Sequence, residues 1–317
     1  MQDAAARTPP SPPSSTPVGA GRPSAARALA LATVTVVLWG VSFPVSRVAV
    51  REISPLALAT ARFAVAALLL WPAARGRGFS LARADLPAVL LLGLLGVTLY
   101  FALENYGLVF TTASHASLIV ATVPLGSAAV EAVRRRRLPR PISVAGMAVA
   151  ILGVAIIVRP EGADGRGIWG DLLVLGAMAA WVAYTFLARD LMARYPALLV
   201  TASTMAAGAG TLLPLATVEA FFRPLHAPSL AAWAALAYLG LLCSALAYLL
   251  WNLALPVLGV AVANNLLNVI PLVSVLTGVL ALGEPFTLSV ALGGALVLLG
   301  VVVVERTGTE RGGSSAL

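Results

Sequence analysis

The sequence contains one pattern of Asn, Pro, Leu and Gly residues that occurs twice without a gap. The first copy comprises Asn105, Pro124, Leu125, Gly146, Leu152 and Gly153, and the second comprises Asn252, Pro271, Leu272, Gly293, Leu299 and Gly300. The offset is 147 residues throughout (252 − 105 = 147 and 300 − 153 = 147). Because both copies run through long apolar stretches, the pattern indicates an internal duplication of a membrane-spanning unit. Such duplication is the usual architecture of transporters.

The composition excludes a soluble globular protein. Of the 317 residues, 60% are hydrophobic and 11% are charged, which leaves too little polar surface to cover a soluble domain. The net charge of +8 does not indicate nucleic-acid binding, because the basic residues lie in short loops and form no surface interleaved with aromatic residues. The single cysteine, Cys243, has no partner for a disulfide or for a thiolate metal site.

Long apolar stretches predict the secondary structure. A helix needs about 20 apolar residues to cross ~30 Å of hydrocarbon, and ten stretches qualify. The predicted spans are 28–49, 54–73, 86–104, 112–133, 142–158, 168–188, 196–221, 230–251, 258–282 and 287–304. They are too long for the strands of a β-barrel and lack alternation, so the predicted fold is an all-α integral membrane protein with ten transmembrane helices. Residues 1–26, rich in Pro, Ser, Ala and Gly, are expected to form a disordered cytoplasmic tail, and residues 306–317 a cytoplasmic C-terminal tail.

The arginines predict the orientation. With the N-terminus in the cytoplasm, fifteen arginines fall on the cytoplasmic side, five on the opposite side, and Arg62 within a helix, which satisfies the positive-inside rule. Both termini are then cytoplasmic. Because each half has five helices, an odd number, the halves (27–160 and 168–305) are predicted to be inverted repeats. This architecture places a substrate site near the membrane midplane, between the repeats. Trp39 and Arg47 recur as Trp181 and Arg189 at a separate offset of 142 residues, which supports the pairing.

Two charged residues are candidates for the cavity. Arg62 lies about eight residues, or ~12 Å, into the predicted second helix. An intramembrane arginine either faces a cavity or snorkels to the interface, and the sequence leaves both alternatives open. Glu104 is predicted to close the third helix beside Asn105, where it would pair with Arg47 or Arg51, carry a coupling proton, or be solvated at the interface. Glu219, near the end of the seventh helix, is expected at the interface.

Amides and prolines form a second group of candidates. Asn264 and Asn268 are four residues apart on one face of the predicted ninth helix, where they either line a cavity or bond a neighbouring helix. Asn252 is included as the repeat of Asn105. Pro124 and Pro271 each remove one helical hydrogen bond and kink their helix, which suits either gating or a static bend.

Six aromatic residues recur in the predicted first, third, sixth and eighth helices, and they either contact an organic substrate or anchor helices at the interface. They are Trp39, Tyr100, Trp181, Tyr184, Tyr248 and Trp251. Gly146, Gly153, Gly293 and Gly300 are expected to permit close helix packing. His115 and His226 are isolated without metal-like spacing, and the sequence has no phosphate-binding loop or nucleophile elbow. We therefore expect no cofactor, no metal and no enzymatic activity.

The residues resemble a known family, the EamA-type transporters of the drug/metabolite transporter superfamily. The resemblance rests on LWGVSFPVSRV in the first predicted helix, on the paired Asn-x18-Pro-x21-Gly-x6-Gly segments, and on LGEPFTLSVALGGALVLLGVVVV near the C-terminus. It extends from about residue 30 to 305. It implies a plasma-membrane carrier with a central cavity that exports amino acids, other metabolites or toxic compounds, and it implies that the aromatic-bearing helices line that cavity.

The chain departs from the family pattern at one pair of positions. The family tends to carry an acidic residue at the end of the fourth and ninth helices, where this sequence has Arg137 and Glu284. Glu284, followed by Pro285, is predicted to cap a loop and set the entry to the last helix. The predicted function is a secondary-active exporter of small organic metabolites, with the proton gradient or the substrate gradient as its energy source. An importer remains an alternative, because direction depends on the coupling gradients; an intramembrane enzyme or sensor is disfavoured by the absence of convergent catalytic groups.

Overall fold

The structure is a computed structural model that describes residues 23–134, 136, 141–157, 166–222 and 227–309, with the backbone alone at 260, 261, 264 and 305–309. These residues form helices and connecting turns, without a strand. Seven helices are long and apolar enough to cross a membrane, and three apolar helices are shorter. In chain order the helical segments are α1 (Ala25–Ala49), α2 (Pro55–Arg75), α3 (Arg83–Phe110), α4 (Ala113–Arg134), α5 (Pro141–Ile157), α6 (Arg166–Met192), α7 (Ala197–Phe222), α8 (Leu230–Gly259), α9 (residues 260–282, mostly Val269–Leu282) and α10 (Leu288–Thr309).

Three helices end well beyond the predicted spans. The predicted third and eighth spans stop at residues 104 and 251, but α3 continues to Phe110 and α8 to Gly259. Polar residues such as Glu104 ended the predicted spans, whereas this carboxylate lies inside the helix and is buried by its neighbours. Helix α10 likewise continues to Thr309, so residues 306–309 are helical rather than tail.

The N-terminal boundary differs by two residues from the predicted tail. Helix α1 begins at Ala25 because the side chain of Ser24 accepts a hydrogen bond from the Arg27 N–H (3.3 Å) and caps the first turn. Residues 1–22 of the predicted disordered tail and residues 310–317 of the predicted C-terminal tail fall outside the described residues, as does Arg137.

Contacts between helix ends define two ends of the bundle. At one end, which we call the distal end, α1, α3, α7 and α9 terminate and α2, α4, α6 and α8 begin. The carboxylate of Glu284, just after α9, bonds the first residue of α4, and Asp171 in the first turns of α6 bonds Thr111, just after α3. At the opposite, proximal end, Asp85 in the first turn of α3 accepts hydrogen bonds from Arg194, which follows α6.

Helices α5 and α10 pack directly against each other through the four repeated glycines. A Cβ atom on Gly146 would lie 2.9 Å from the carbonyl oxygen of Gly300, and one on Gly153 would lie 2.6 Å from that of Gly293. The lower-numbered glycine of α5 therefore meets the higher-numbered glycine of α10, so the two helices run antiparallel. Small residues allow this backbone approach in a membrane protein.

Irregular segments recur within one residue of the offset of the sequence repeat. Helix α4 is interrupted at residues 121–122 and α9 at residues 267–268, in each case just before the proline of the repeat. Pro124 and Pro271 lie in the first turn after the interruption, where a missing N–H is tolerated. Leu94–Leu99 in α3 and Tyr238–Ala247 in α8 are π-helical, and the 147-residue offset maps the first segment onto residues 241–246, inside the second. Single-turn π segments are often found at functional sites.

Candidate functional site

A central cavity lies among helices α1, α2, α3, α4, α6, α8 and α9. It contains about 440 Å³ of space free of protein atoms, part of it open to solvent. Its walls are mostly apolar or aromatic, with one buried cation and one buried anion. The lining residues are Trp39, Ser42, Phe43, Arg62, Tyr100, Phe101, Glu104, Val120, Val123, Met178, Trp181, Tyr248, Leu267 and Ile270.

Both halves of the sequence contribute equivalent positions to this cavity. The pairs are Phe101 with Tyr248, Val120 with Leu267 and Val123 with Ile270 at the 147-residue offset, and Trp39 with Trp181 at the 142-residue offset. Val120, Val123 and Ile270 flank the interruptions of α4 and α9, and Leu267 lies in the interruption of α9. The cavity therefore lies where the two sequence repeats meet.

Trp39 is at the centre of an aromatic cluster against the cavity. Its ring centroid lies 5.6 Å from that of Trp181, 5.2 Å from Tyr248 and 5.3 Å from Trp251. The Trp39–Trp181 contact is edge-to-face, with an interplanar angle of 88°, the kind of arrangement that aromatic rings prefer. Trp251 is buried in this cluster but is not part of the cavity wall.

Trp181 connects the remaining two aromatic candidates to this cluster. Its ring centroid lies 5.5 Å from Tyr100, which lines the cavity, and 5.1 Å from Tyr184, which does not. Tyr184 packs instead on Gly96 of the π segment, where a Cβ atom would lie 2.3 Å from the tyrosine ring. All six aromatic residues singled out in the sequence thus meet in one cluster, and four of them face the cavity.

The two π segments position the rings through their carbonyl groups. The Tyr248 hydroxyl donates to the carbonyl oxygen of Gly96 (3.3 Å), and Trp39 Nε1 donates to that of Cys243 (3.1 Å). Gly96 and Cys243 are equivalent at the 147-residue offset. Each repeat therefore offers the same carbonyl to an aromatic side chain of the cavity wall.

Arg62 is buried, 1% exposed, and lines the cavity. Its Nε donates to Ser244 Oγ (2.9 Å). Its guanidinium carbon lies 4.5 Å from the ring centroid of Phe101 and 5.3 Å from that of Phe63, both within the range of cation–π attraction. The side chain is therefore held inside the bundle and does not extend to either end of α2.

Glu104 is also buried, 3% exposed, and lines the same cavity. Its Oε2 accepts no hydrogen bond from the described residues. The expectation that Glu104 closes a helix beside Arg47 or Arg51 is wrong, because six further residues of α3 follow it and Arg47 contacts Glu284 instead. Glu104 shares the cavity with Arg62, although no ion pair joins the two side chains.

The repeated asparagines connect helices outside the cavity wall. Asn105 Nδ2 donates to the carbonyl oxygen of Pro55 (2.9 Å), which ties α3 to α2. Asn252 Nδ2 donates to Thr201 Oγ1 (2.6 Å), which ties α8 to α7 in the second half. Asn268 is half-buried at the interruption of α9 and is not part of the wall, and the side chain of Asn264 falls outside the described part of the chain.

A polar cluster at the distal end was not predicted from the sequence; we call it the distal cluster. It consists of Arg47, Thr111, Ser114, His115, Asp171 and Glu284. Glu284 accepts from the backbone N–H groups of Ala113 (2.9 Å) and Ser114 (3.1 Å) and from Ser114 Oγ (2.6 Å). Glu284 therefore caps the start of α4, whereas the sequence predicted that it caps a loop at the entry to the last helix.

The rest of the distal cluster links α1, α3 and α6. Arg47 Nε lies 3.7 Å from Glu284 Oε1, and its Nη1 donates to the carbonyl groups of Leu108 and Thr111. Asp171 accepts from Thr111 Oγ1 (2.5 Å) and lies 3.5 Å from His115 Nδ1. Thr111, Ser114 and His115 are neighbours in the sequence, whereas Arg47, Asp171 and Glu284 are distant from them. Only the folded arrangement of the helix ends brings all six together.

Glu219 also differs from its predicted position at the interface. It is buried, accepts a hydrogen bond from the Leu56 N–H (3.0 Å) and accepts another from the Tyr106 hydroxyl (2.6 Å). It therefore caps the first turn of α2 from α7. In the described part of the chain, no group of three or more His, Cys, Asp and Glu side chains is placed to hold a metal ion.

The apolar helices and the buried cavity define a multi-pass membrane protein of the transporter class. The chain belongs to the EamA-like transporter family, whose sequence profile matches it twice, over residues 26–159 and 168–306.

Relatives of known sequence have transporter names. The chain is 35% identical over 274 residues to a probable terminal-alkyne amino-acid exporter of Streptantibioticus cattleyicolor, a match that covers 86% of this chain and 91% of the relative. It is 32% identical over 277 residues to an uncharacterized transporter of Archaeoglobus fulgidus, covering 86% of this chain and 96% of the relative. A solved crystal structure with 22% identity has the same fold, with a TM-score of 0.64 over 91% of this chain and 99% of that one.

Proposed function

We propose that this protein is a secondary-active transporter that exports small organic metabolites, such as amino acids or related compounds, by alternating access. It would act in the plasma membrane with ten transmembrane helices and both termini in the cytoplasm. The observation that carries the proposal is the central cavity, whose walls contain equivalent positions from both repeats. A site between two repeats is the arrangement found in carriers that open to each side in turn.

The inverted relation between the halves is supported by the direction of equivalent helices. Helix α1 ends at the distal end, through Arg47, whereas its counterpart α6 begins there, through Asp171. The last helices of the two halves, α5 and α10, pack antiparallel through equivalent glycines. An axis in the membrane plane would relate such halves, and exchanging their conformations would expose the cavity on opposite sides.

The interruptions in α4 and α9 are the proposed moving parts. Each lies at the cavity wall: the interruption of α4 is between Val120 and Val123, and that of α9 contains Leu267 and precedes Ile270. The prolines that follow prevent a continuous hydrogen-bond ladder, so each half-helix can change its angle with few backbone bonds broken. Pro124 and Pro271 therefore fit hinge positions.

Export is favoured over import by one comparison, the relative named as a probable amino-acid exporter. The geometry of the cavity serves either direction, since the driving gradients decide net flux. For energy we propose the proton gradient or the substrate gradient. Uptake and efflux measured separately in cells with and without the gene would assign the direction.

Counterflow in proteoliposomes tests the proposal. Purified protein in vesicles preloaded with unlabelled amino acids should accumulate the labelled compound saturably, and protein-free vesicles should not. Val123→Trp should fill the cavity and abolish counterflow, whereas Leu280→Trp, at a position 76% exposed on the outside of α9, should not. Absence of counterflow across a broad panel of amino acids and related solutes would refute the proposal.

A further inference from the structure

The two charges of the cavity come from one half of the chain. Arg62 belongs to α2 and Glu104 to α3, whereas the apolar wall contains equivalent residues from both halves. The position equivalent to Glu104 at the 147-residue offset is Trp251, which is uncharged and outside the wall. The two repeats therefore share the apolar positions of the cavity wall but not its charged residues. The repeat architecture alone does not explain why Arg62 and Glu104 are present.

Each charge has bonding capacity that the protein leaves unused. Glu104 is 3% exposed, and its buried Oε2 accepts no hydrogen bond from the described residues. Arg62 uses Nε for Ser244 and its faces for aromatic rings, and among the described residues its two Nη groups donate to no acceptor. The two side chains also form no ion pair with each other.

Unpaired buried charges are costly, and within a membrane protein they commonly serve a ligand or an ion pathway. A carboxylate with free oxygens takes a protonated amine, and a guanidinium group with free Nη donors takes a carboxylate through paired hydrogen bonds. The surrounding rings of Trp39, Tyr100 and Trp181 provide faces for an ammonium group and a surface for apolar groups. These features require a ligand with both charges.

We propose that the cavity binds a zwitterion with an apolar remainder, whose ammonium group meets Glu104 and whose carboxylate meets Arg62. This inference rests on the proposed transport function and specifies the chemistry of its substrate. A simple cation would leave Arg62 unpaired beside a like charge, and a simple anion would do the same to Glu104. Only a ligand with both groups compensates both side chains.

The test compares a zwitterion with derivatives that lack one charge. L-Leucine is the reference, N-acetyl-L-leucine lacks the ammonium group, and L-leucinamide lacks the carboxylate. We expect each derivative to inhibit counterflow of labelled L-leucine at least tenfold more weakly than unlabelled L-leucine. The same ranking is expected when ligand binding is read from the thermal unfolding midpoint of the purified protein.

Substitutions assign each charge to its residue. Glu104→Gln should weaken L-leucine at least tenfold but should not weaken N-acetyl-L-leucine, because that derivative has no ammonium group and is relieved of a like charge. Arg62→Gln should weaken L-leucine but should not weaken L-leucinamide, for the corresponding reason, and Arg62→Lys should restore part of the loss of L-leucine binding. Glu52→Gln and Arg51→Gln, which remove exposed charges outside the cavity, are the matched controls and should leave all three compounds unchanged.

Two results would overturn the inference while leaving transport intact. One is wild-type counterflow of other solutes with no competition by any amino acid that has an apolar side chain. The other is competition by L-leucine that Glu104→Gln and Arg62→Gln leave unaffected although both variants keep the wild-type unfolding midpoint. A wild-type protein that transports no solute at all would overturn the proposed function and, with it, the inference.

Discussion

Replacing Glu284 tests the idea that a carboxylate from the second half holds the start of a helix in the first half. The Glu284 side chain is 8% exposed and accepts three hydrogen bonds from the start of α4. Its Oε2 lies 2.7 Å from where a Cβ atom on Gly278 would be, so only glycine leaves room for it. Glu284→Ala removes these bonds without adding volume.

The expected loss follows from the groups left behind. The N–H groups of Ala113 and Ser114 would be buried without this acceptor, and an unsatisfied buried donor costs about 1–3 kcal/mol. Arg47 loses a partner 3.7 Å away, but it is 23% exposed and keeps its carbonyl contacts, so this contribution is below about 1 kcal/mol. We expect Glu284→Ala to lower the unfolding free energy by about 3 kcal/mol. Glu284→Gln, which keeps one acceptor oxygen, should cost about half as much.

The unfolding free energy of both variants is measured by titrating the purified protein in mixed micelles with sodium dodecyl sulfate. A thermal scan is run in parallel. Glu52 provides the matched control: it accepts from the Ser229 N–H (2.7 Å) and from Ser229 Oγ (2.8 Å) at the start of α8, but it is exposed. Because water replaces these bonds, Glu52→Ala should have the smaller effect. Equal effects of Glu284→Ala and Glu52→Ala would refute the argument from burial.

Two further stability predictions concern helix packing and pH. Gly153→Ala should lower the unfolding free energy by about 1–3 kcal/mol, because its Cβ would lie 2.6 Å from the Gly293 carbonyl oxygen. Gly210→Ala is the control and should not lower it, because no atom lies within 4 Å of the added Cβ. The same unfolding assay compares the two variants. Hydrogen bonds from the Ser229 N–H and hydroxyl lower the pKa of Glu52. The ionised Glu52 side chain therefore stabilises the folded protein fully above the ordinary glutamate pKa of about 4.3, and this stabilisation is lost as the pH falls through the lowered pKa. The difference in unfolding midpoint between wild type and Glu52→Gln should therefore shrink between pH 6 and pH 3, and a constant difference would contradict it.

The helices were predictable because each one needs only local information. Length and hydropathy located the apolar helices, and the duplicated glycines indicated the close packing that α5 and α10 display. The predicted ends of α3 and α8 were wrong because hydropathy averaged over a window of residues falls at the polar side chains of Glu104 and Asn252. In the folded chain Asn252 has a partner on α7, and Glu104 faces the cavity.

The distal cluster could not be predicted because it joins five helix ends, most of which are distant in sequence. Glu284 and Ser114 are separated by 170 positions, and the LGEPF segment that contains Glu284 does not indicate its partner. His115 looked isolated for the same reason. The aromatic cluster was easier to anticipate, because its members recur on helices that the repeat relates, and the repeat maps Phe101 onto Tyr248 without any knowledge of contacts.

Three carboxylates at the distal end share one physical role despite their different origins. Glu219 caps α2, Glu284 caps α4 and Glu52 caps α8, each from outside the helix that it caps. Helix N-termini carry a partial positive charge, so a carboxylate there is stabilised by the dipole and by the free N–H groups. Each of these three caps connects segments that are distant in sequence. Under the proposed alternating access, the distal end can open only by breaking such a connection or by moving the helices that it joins together as one body. The duplication does not repeat this pair in the sequence: the residues equivalent to Glu284 and Ser114 are Arg137 and Ala261, which have neither a carboxylate nor a hydroxyl. The repeat therefore supplies the cavity, and its departures from symmetry determine how firmly each end is held.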